Sequence, residues 1–346
     1  MSRVQGGEVK KVSIVDVARE AGVSVSTVSL VLRRKGKISP ETIARVQAAI
    51  QALGYVHNVA AANLRANTSN LIGLIVRDFS DSFTVRVMES IVQALEAQRY
   101  MVFLGQPQDE GEALDRCLLS FAQQGVAGVI YLAAGSSSAA LPEKIRRCPL
   151  PRVVVSQSLP EEAGDLVMRD NRQAAGLATR YLIERGHRQI AYLGGTAEDR
   201  IRQQRLLGYR SALAQYGLPY REEFAPACAE STQAAGLATR RLLEKSNSIT
   251  ALLCHSPNAV IGGIAGIHQV GRTLGKDVFL TQQVALLGFE DMLHVNLTSP
   301  SFTYVSSASD EAGRQAAALI LRKLSDPDLP PQQITLSGHL VIRESA

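Results

Sequence analysis

From residue 71 onward the chain alternates short, unbroken apolar runs with longer stretches whose apolar residues recur every three or four positions. LIGLIV, MVFLG, VAGVIYL and RVVVS read as strands, with SIVQALEAQ and a segment near 111–124 as helices between them. LATRYLIER then leads into QIAYLGG, and ITALLC, QVALLGF and FTYV extend the series toward the C-terminus. These strands are apolar at successive rather than alternate positions. That pattern marks strands covered on both faces, hence parallel sheets with helices on either side. Two such sets predict an α/β body of two doubly wound lobes, with ligands in the crevice at the strand C-termini.

The N-terminal segment has helical periodicity instead. Ile14, Val17, Ala18 and Ala21 share one face, and Gly22 follows where a sharp reversal calls for positive φ. Ser24 is a good N-cap for a second helix from Val25 to about Leu32. Two helices meeting steeply through a three-residue turn need a small residue at the crossing, glycine in the turn and branched apolars beneath. Ala18, Gly22, Val23, Val28 and Val31 meet those needs at the spacing of a helix-turn-helix. A third helix is capped by Ser39, with Pro40 in its first turn and Glu41 at its positive end. Its stripe is Ile43, Val46, Ile50 and Leu53, and Gly54 stops it. A plain three-helix bundle has the same outline. The hydroxyl-rich face of Ser24, Ser26, Thr27 and Ser29 favours phosphate binding, because hydroxyls and helix N-termini are good phosphate ligands.

Charge sharpens this picture. The net charge is +5, and residues 1–65 hold ten Lys/Arg against four Asp/Glu, while the rest holds 27 against 28. A basic N-terminal unit on a neutral body is the footprint of a polyanion binder, although a flexible basic tail has the same composition. No apolar run approaches the roughly 18–20 residues of a membrane span. MSRVQGGEVKK lacks the apolar core of a secretory signal. Cys117, Cys148, Cys228 and Cys254 stand far apart, without metal-ligand or redox spacing, and read as buried thiols in the reducing cytoplasm. GGIAG and YLGGT do not make a nucleotide-binding glycine pattern, and neither HExxH nor GxSxG occurs. No cofactor, metal or catalytic activity is expected.

VSIVDVAREAGVSVSTVSLVL, then ISPETIARVQAAIQALGYVHN, then AAANLRANTSNLIGLIVRD resemble the lactose/galactose repressor (LacI/GalR) family of transcription regulators. GVSVSTVSLVL and QQVALLGFED are most similar to its maltose-regulon repressor subgroup. The resemblance implies a helix-turn-helix DNA-binding domain at 1–57, a hinge helix and linker at 58–69, and a periplasmic-binding-protein-like effector-binding and dimerisation domain at 70–346. It places the first lobe at about 70–170 plus 303–330 and the second at about 171–302 plus 331–346. The family's base-reading positions fall on Val25, Ser26 and Leu30. Val25 and Leu30 suit thymine methyls, and Ser26 can bond several base edges. Ser13, Ser24, Thr27 and Ser29 match phosphate-contacting positions. Asn58, Ala61, Ala62 and Leu64 match the hinge that folds in the minor groove, with Leu64 as the wedge between base pairs. An alanine-rich linker is the plainer reading of that stretch.

The same resemblance, with loops at strand ends, points to Phe83, Asp170, Arg202, Ser256 and Glu290 as effector contacts. Arg205, in an RxxGY element with Gly208 and Tyr209, and Asp170 also suit capping or bridging roles, and Phe83 also suits the lobe core. Ser256 stands where many relatives carry asparagine, and Pro257 removes a backbone donor, so the effector site departs from the usual sugar pattern. The expectation is a sequence-specific transcription regulator, in the first place a repressor. It binds a pseudo-palindromic operator as a homodimer and answers to a sugar-like effector between the lobes. The chain ends at LVIRESA without a leucine-heptad tail, which implies a dimer rather than a tetramer. The alternatives are a regulator of the same fold without ligand control, or an activator. A solute receptor would carry a signal peptide instead of a helix-turn-helix, and an architectural DNA-bending protein would lack the two-lobed body.

Overall fold

The N-terminal helices begin and end where nearby side chains satisfy their free backbone groups. The computed structural model describes residues 12–33, 36–55, 69–77, 79, 82–133, 141–156, 164–290 and 300–346. Helix α1 (Ile14–Ala21) opens on a capping box: the Ser13 amide and hydroxyl donate to Asp16 at 2.9 and 2.6 Å. Gly22 closes it at φ 62, a left-handed conformation that a side chain resists. In α2 (Val25–Arg33) the Ser24 hydroxyl accepts the Thr27 amide at 3.2 Å. Ser39 caps α3 (Pro40–Leu53), and Gly54 ends it at φ 60. Val17, Val28 and Val46 are wholly buried between the three helices, with Ala18, Ala21 and Ala49 at the close approaches. The chain divides into two compact units between Ser69 and Asn70.

The second unit starts with β1 (Leu71–Val76), α4 (Ser82–Ala97), β2 (Met101–Gly105), α5 (Glu112–Gln123), β3 (Gly128–Leu132), α6 (Leu141–Arg147), β4 (Arg152–Ser156) and β5 (Asp165–Arg169). It continues with α7 (Asn171–Glu184), β6 (Ile190–Leu193), α8 (Arg200–Gln215), α9 (Thr232–Lys245), β7 (Ala251–Cys254) and α10 (Pro257–Gln269). The last elements are β8 (Thr273–Leu274), β9 (Gln283–Phe289), β10 (Thr303–Ser306), α11 (Ser309–Ser325), β11 (Gln333–Leu336) and β12 (His339–Val341). One sheet has the order β11-β5-β4-β3-β1-β2, parallel throughout. The other runs β12-β10-β9-β7-β6, parallel except for the β10–β12 pair, with β8 added beside β9. Helices cover the central strands of each sheet on both faces, which is why those strands carry apolar residues at consecutive positions, while the edge strand β2 stays largely exposed.

The chain passes between the lobes after β5, between β10 and α11, and between β11 and β12. Two lobe boundaries expected from the sequence are therefore corrected. Residues 303–306 belong to the second lobe, because β10 pairs with β9, and residues 333–336 belong to the first, because β11 pairs with β5. An apolar run identifies a strand, but only its hydrogen-bonded neighbour decides which sheet it joins.

Candidate nucleic-acid interface and ligand cleft

Helix α2 turns Val28 inward and leaves Val25 and Leu30 each 41% exposed, with Ser26 exposed beside them. The Ser24 hydroxyl that caps this helix lies 2.7 Å from the Ser26 hydroxyl and 2.8 Å from that of Thr27. Gly36, at φ 87, sits where a Cβ would come within 3.7 Å of the Leu30 methyls. The exposed end of α2 thus offers two apolar side chains flanking a hydroxyl cluster, a pattern suited to thymine methyls and neighbouring acceptors in a major groove. Both Ser13 donors are held by Asp16, so a phosphate at the start of α1 would take the place of that carboxylate. Ser29 is half-buried on α2. Asn58, Ala61, Ala62 and Leu64 lie outside the described residues.

The strand C-termini of the two lobes bring a second set of polar groups together. Arg169, at the end of β5, donates to Glu290 beyond β9 and, at 3.2 Å, to the Asn171 side-chain oxygen. Its guanidinium also lies 4.7 Å from the centre of the Phe83 ring. The Ser307 hydroxyl donates to the other Glu290 oxygen, and Glu290 itself adopts φ 72. Arg205 donates to the same Asn171 oxygen at 3.1 Å and to the His255 carbonyl, with its guanidinium 3.9 Å above the Phe289 ring. Glu290, Asp170, Ser306 and Ser307 line a shallow, narrow recess where the crossover strands meet.

His255 joins this network through its carbonyl, which accepts from Arg205. Its Nε2 faces Asp199 at 2.9 Å and its Nδ1 lies 2.7 Å from the Tyr192 hydroxyl. An imidazole that donates to Asp199 from Nε2 accepts from Tyr192 at Nδ1, so the two contacts select one neutral tautomer. Burial holds the His255 pKa below the ordinary imidazole value, against the opposing pull of Asp199. For Asp199, burial acts upward, but its bond to His255 brings the carboxyl below its ordinary value. Among the described residues, no three His, Cys, Asp or Glu side chains are grouped to hold a metal ion, and no helix is long and apolar enough to cross a membrane.

The family model described as bacterial regulatory proteins, lacI family, matches residues 13–58, and that of periplasmic binding proteins and the sugar binding domain of the LacI family matches residues 69–339. The chain belongs to the LacI family. Within it, the maltose regulon regulatory protein MalI of Escherichia coli K12 is 37% identical over 96% of this chain and 98% of its own. The ribose operon repressor of the same organism is 26% identical over 96% of this chain and 98% of its own. A solved complex of the transcriptional regulator CelR with cellobiose aligns at TM-score 0.70 and 27% identity, covering 96% of this chain and 99% of that one. The fold is shared with the lac repressor dimer bound to operator and the anti-inducer ONPF, at TM-score 0.79 and 21% identity over 97% and 99% of the two chains. This LacI-family chain is thus a DNA-binding transcription regulator of the maltose-regulon subgroup, with a ligand-sensing domain behind its helix-turn-helix.

Not every residue singled out in the sequence converges in the cleft of this LacI-family regulator. Phe83 and Glu290 meet through Arg169, and Asp170 lies beside them while its carboxylate accepts the Gln173 amide at 2.8 Å to cap α7. Phe83 is also packed in the first-lobe core, at 4% exposure. Arg202 points elsewhere: it is tied to the Gly194 carbonyl at 3.0 Å and the Ala225 carbonyl at 2.6 Å. Ser256 caps α10 through the Ala259 amide and donates to Glu230. Sequence reasoning overlooked Arg169, Asn171 and His255. Their signals were adjacency alone: Arg169 and Asn171 flank Asp170, and His255 precedes Ser256.

Proposed function

We propose that this regulator acts in the cytoplasm as a homodimeric repressor that reads a pseudo-palindromic operator and senses a sugar or sugar derivative at the Glu290 end of the cleft. The observation that carries the reading is the exposed Val25–Ser26–Leu30 face on a unit that holds the chain's whole basic excess. In this assignment those three residues read bases, and Ser13, Ser24, Thr27 and Ser29 contact phosphates. Residues 1–57 form the DNA-binding domain, and 58–69 the hinge and linker. Asn58, Ala61, Ala62 and Leu64 form the minor-groove hinge, with Leu64 wedging the central base step. The similarity to a maltose regulon regulatory protein supports a sugar as effector.

Dimerisation is supported by apolar side chains left exposed on both lobes. Met101 on the edge strand β2 is 64% exposed and Leu119 on α5 59%, while Leu237 on α9 and Ile261 on α10 stand outward in the second lobe. An uncovered edge strand with apolar side chains is an unstable surface for a monomer, and a second copy covers it.

Selection from a random double-stranded DNA library at near-physiological salt tests the reading. Recovery of a palindrome with an easily kinked central step is the expected outcome. Binding without sequence enrichment would reduce the basic unit to phosphate neutralisation and refute the operator claim. A second reading, a regulator of this fold without ligand control, is favoured by the internal partners of Glu290, Asp170 and Ser256. A thermal-shift titration with maltose, glucose and their phosphates separates the two, since a bound effector raises the melting temperature.

A further inference from the structure

We infer that Arg169 is a built-in occupant of the ligand cleft: it latches the two lobes together, and an effector has to displace it. The inference rests on the cleft position proposed above, and it assigns to that site a regulatory contact of its own. Arg169 ends β5 and belongs to the first lobe, and the ring beneath its guanidinium, Phe83, comes from the first-lobe helix α4. Glu290 and Asn171, which accept hydrogen bonds from it, stand at the strand end and helix start of the second lobe. One side chain therefore holds both lobes at the mouth of the cleft.

The contact is not a loose surface ion pair. Arg169 is only 8% exposed, and the Glu290 side chain 10%, so water does not compete for either charge. Separating such a pair leaves each charge stranded in a poorly solvated site, and the pair therefore holds until another group takes over one partner. The second-lobe side is braced: Ser307 holds the free oxygen of Glu290, and Asn171 is gripped from behind by Arg205. The crossovers are laced beside it. The Asp170 amide donates to the Leu336 carbonyl at 3.0 Å, and Gln173 exchanges hydrogen bonds of 3.0 and 3.3 Å with the Gly338 backbone.

Phe83 and Glu290 are the ring platform and the carboxylate that an effector would use, and Arg169 already engages both. A sugar ring stacking on Phe83, or hydroxyls bonding to Glu290, must first lift the guanidinium away. Effector entry and loss of the lobe-to-lobe contact are then one event, which couples occupancy to lobe movement without a separate relay.

Hydrogen–deuterium exchange on the ligand-free, full-length protein tests this, comparing wild type with Arg169→Met and Arg169→Lys. Arg169→Met is expected to speed exchange at least tenfold in residues 303–308, 336–339 and the first turn of α4, with the sheet interiors and the N-terminal unit unchanged. Arg169→Lys is expected to fall between, because an ammonium can pair with Glu290 but cannot also fork to Asn171 and lie flat on Phe83. Unchanged exchange at the crossovers, or an increase spread evenly through both lobes, would overturn the latch. A Lys variant indistinguishable from Met would also count against it. No effector enters the assay, so an error in the proposed effector class leaves this result untouched.

Discussion

Helices α7 and α8 cross with their backbones in contact, and two glycines at that crossing respond oppositely to the same change. A Cβ on Gly208 would stand 2.1 Å from the Arg172 carbonyl oxygen and 2.9 Å from the Gly176 amide nitrogen. Both are backbone atoms and cannot swing aside, so Gly208→Ala has to push the helices apart by about 1 Å in a close-packed interior. Overpacking of this kind costs about 1–3 kcal/mol. The shift also strains the Arg205 bond to Asn171 at 3.1 Å and the Tyr209 bond to the Ile190 carbonyl at 2.8 Å. A buried polar group left unpaired adds roughly 1–3 kcal/mol, against a helix-propensity gain for alanine of roughly 1 kcal/mol. The net loss is about 3 kcal/mol, or roughly 6–12 °C at the sensitivity expected for a unit of this size. Gly176→Ala is the control. A Cβ there meets only the Gly208 carbonyl at 3.7 Å, an ordinary contact, so only the propensity gain of up to about 1 kcal/mol remains. Thermal melts of the full-length proteins by circular dichroism decide the matter. A Gly208→Ala protein melting at or above wild type, or the two variants melting within about 2 °C of each other, would show that the α7–α8 crossing has room for the added methyl.

Other consequences are open to measurement. Burial, with the charges of Arg185 and Arg188, lowers the His187 pKa from 6.5 to about 4. The unfolded chain therefore takes up this proton first as pH falls, so the contribution is intact above pH 6.5 and is lost progressively toward pH 4. That loss amounts to about 3 kcal/mol, and urea titrations across this range should show a shallower pH slope for His187→Gln than for wild type. Val28→Ala removes two methyl groups from a wholly buried position, at a cost of about 2 kcal/mol, and should speed proteolysis of the N-terminal unit while leaving the melting of the lobes unchanged. Leu30→Ala should relax operator preference at one base pair per half-site by about 1–2 kcal/mol without altering the salt slope of binding, and selection sequencing with a salt titration reads both. Leu64→Ala should weaken operator binding roughly tenfold or more while sparing non-specific affinity, as compared on specific and random duplexes.

The N-terminal helices were legible in the sequence because their determinants are local. A cap, its amide partner and a glycine at positive φ all act within a few residues of each other, as at Ser13 with Asp16 and at Gly22. The central strands were legible for a related reason, since a strand buried on both faces has to be apolar at every position. Strands β5, β11 and β12 gave no such signal. QITL at β11 is only partly buried at alternate positions, and it is a strand because β5, far away in sequence, offers it a hydrogen-bonding edge. The same limit separated two neighbours in the RDN segment of the cleft. Asp170 stood out as a ligand candidate, yet its carboxylate turns back to cap α7, while its neighbour Arg169 reaches Glu290, 121 residues further along. Local chemistry along the chain therefore determined where helices start, which segments are buried, and which end binds DNA. Which polar side chains meet across the lobes was decided only by the tertiary structure, because apolar periodicity specifies the face a residue presents and carries no information about the distant group it will find there.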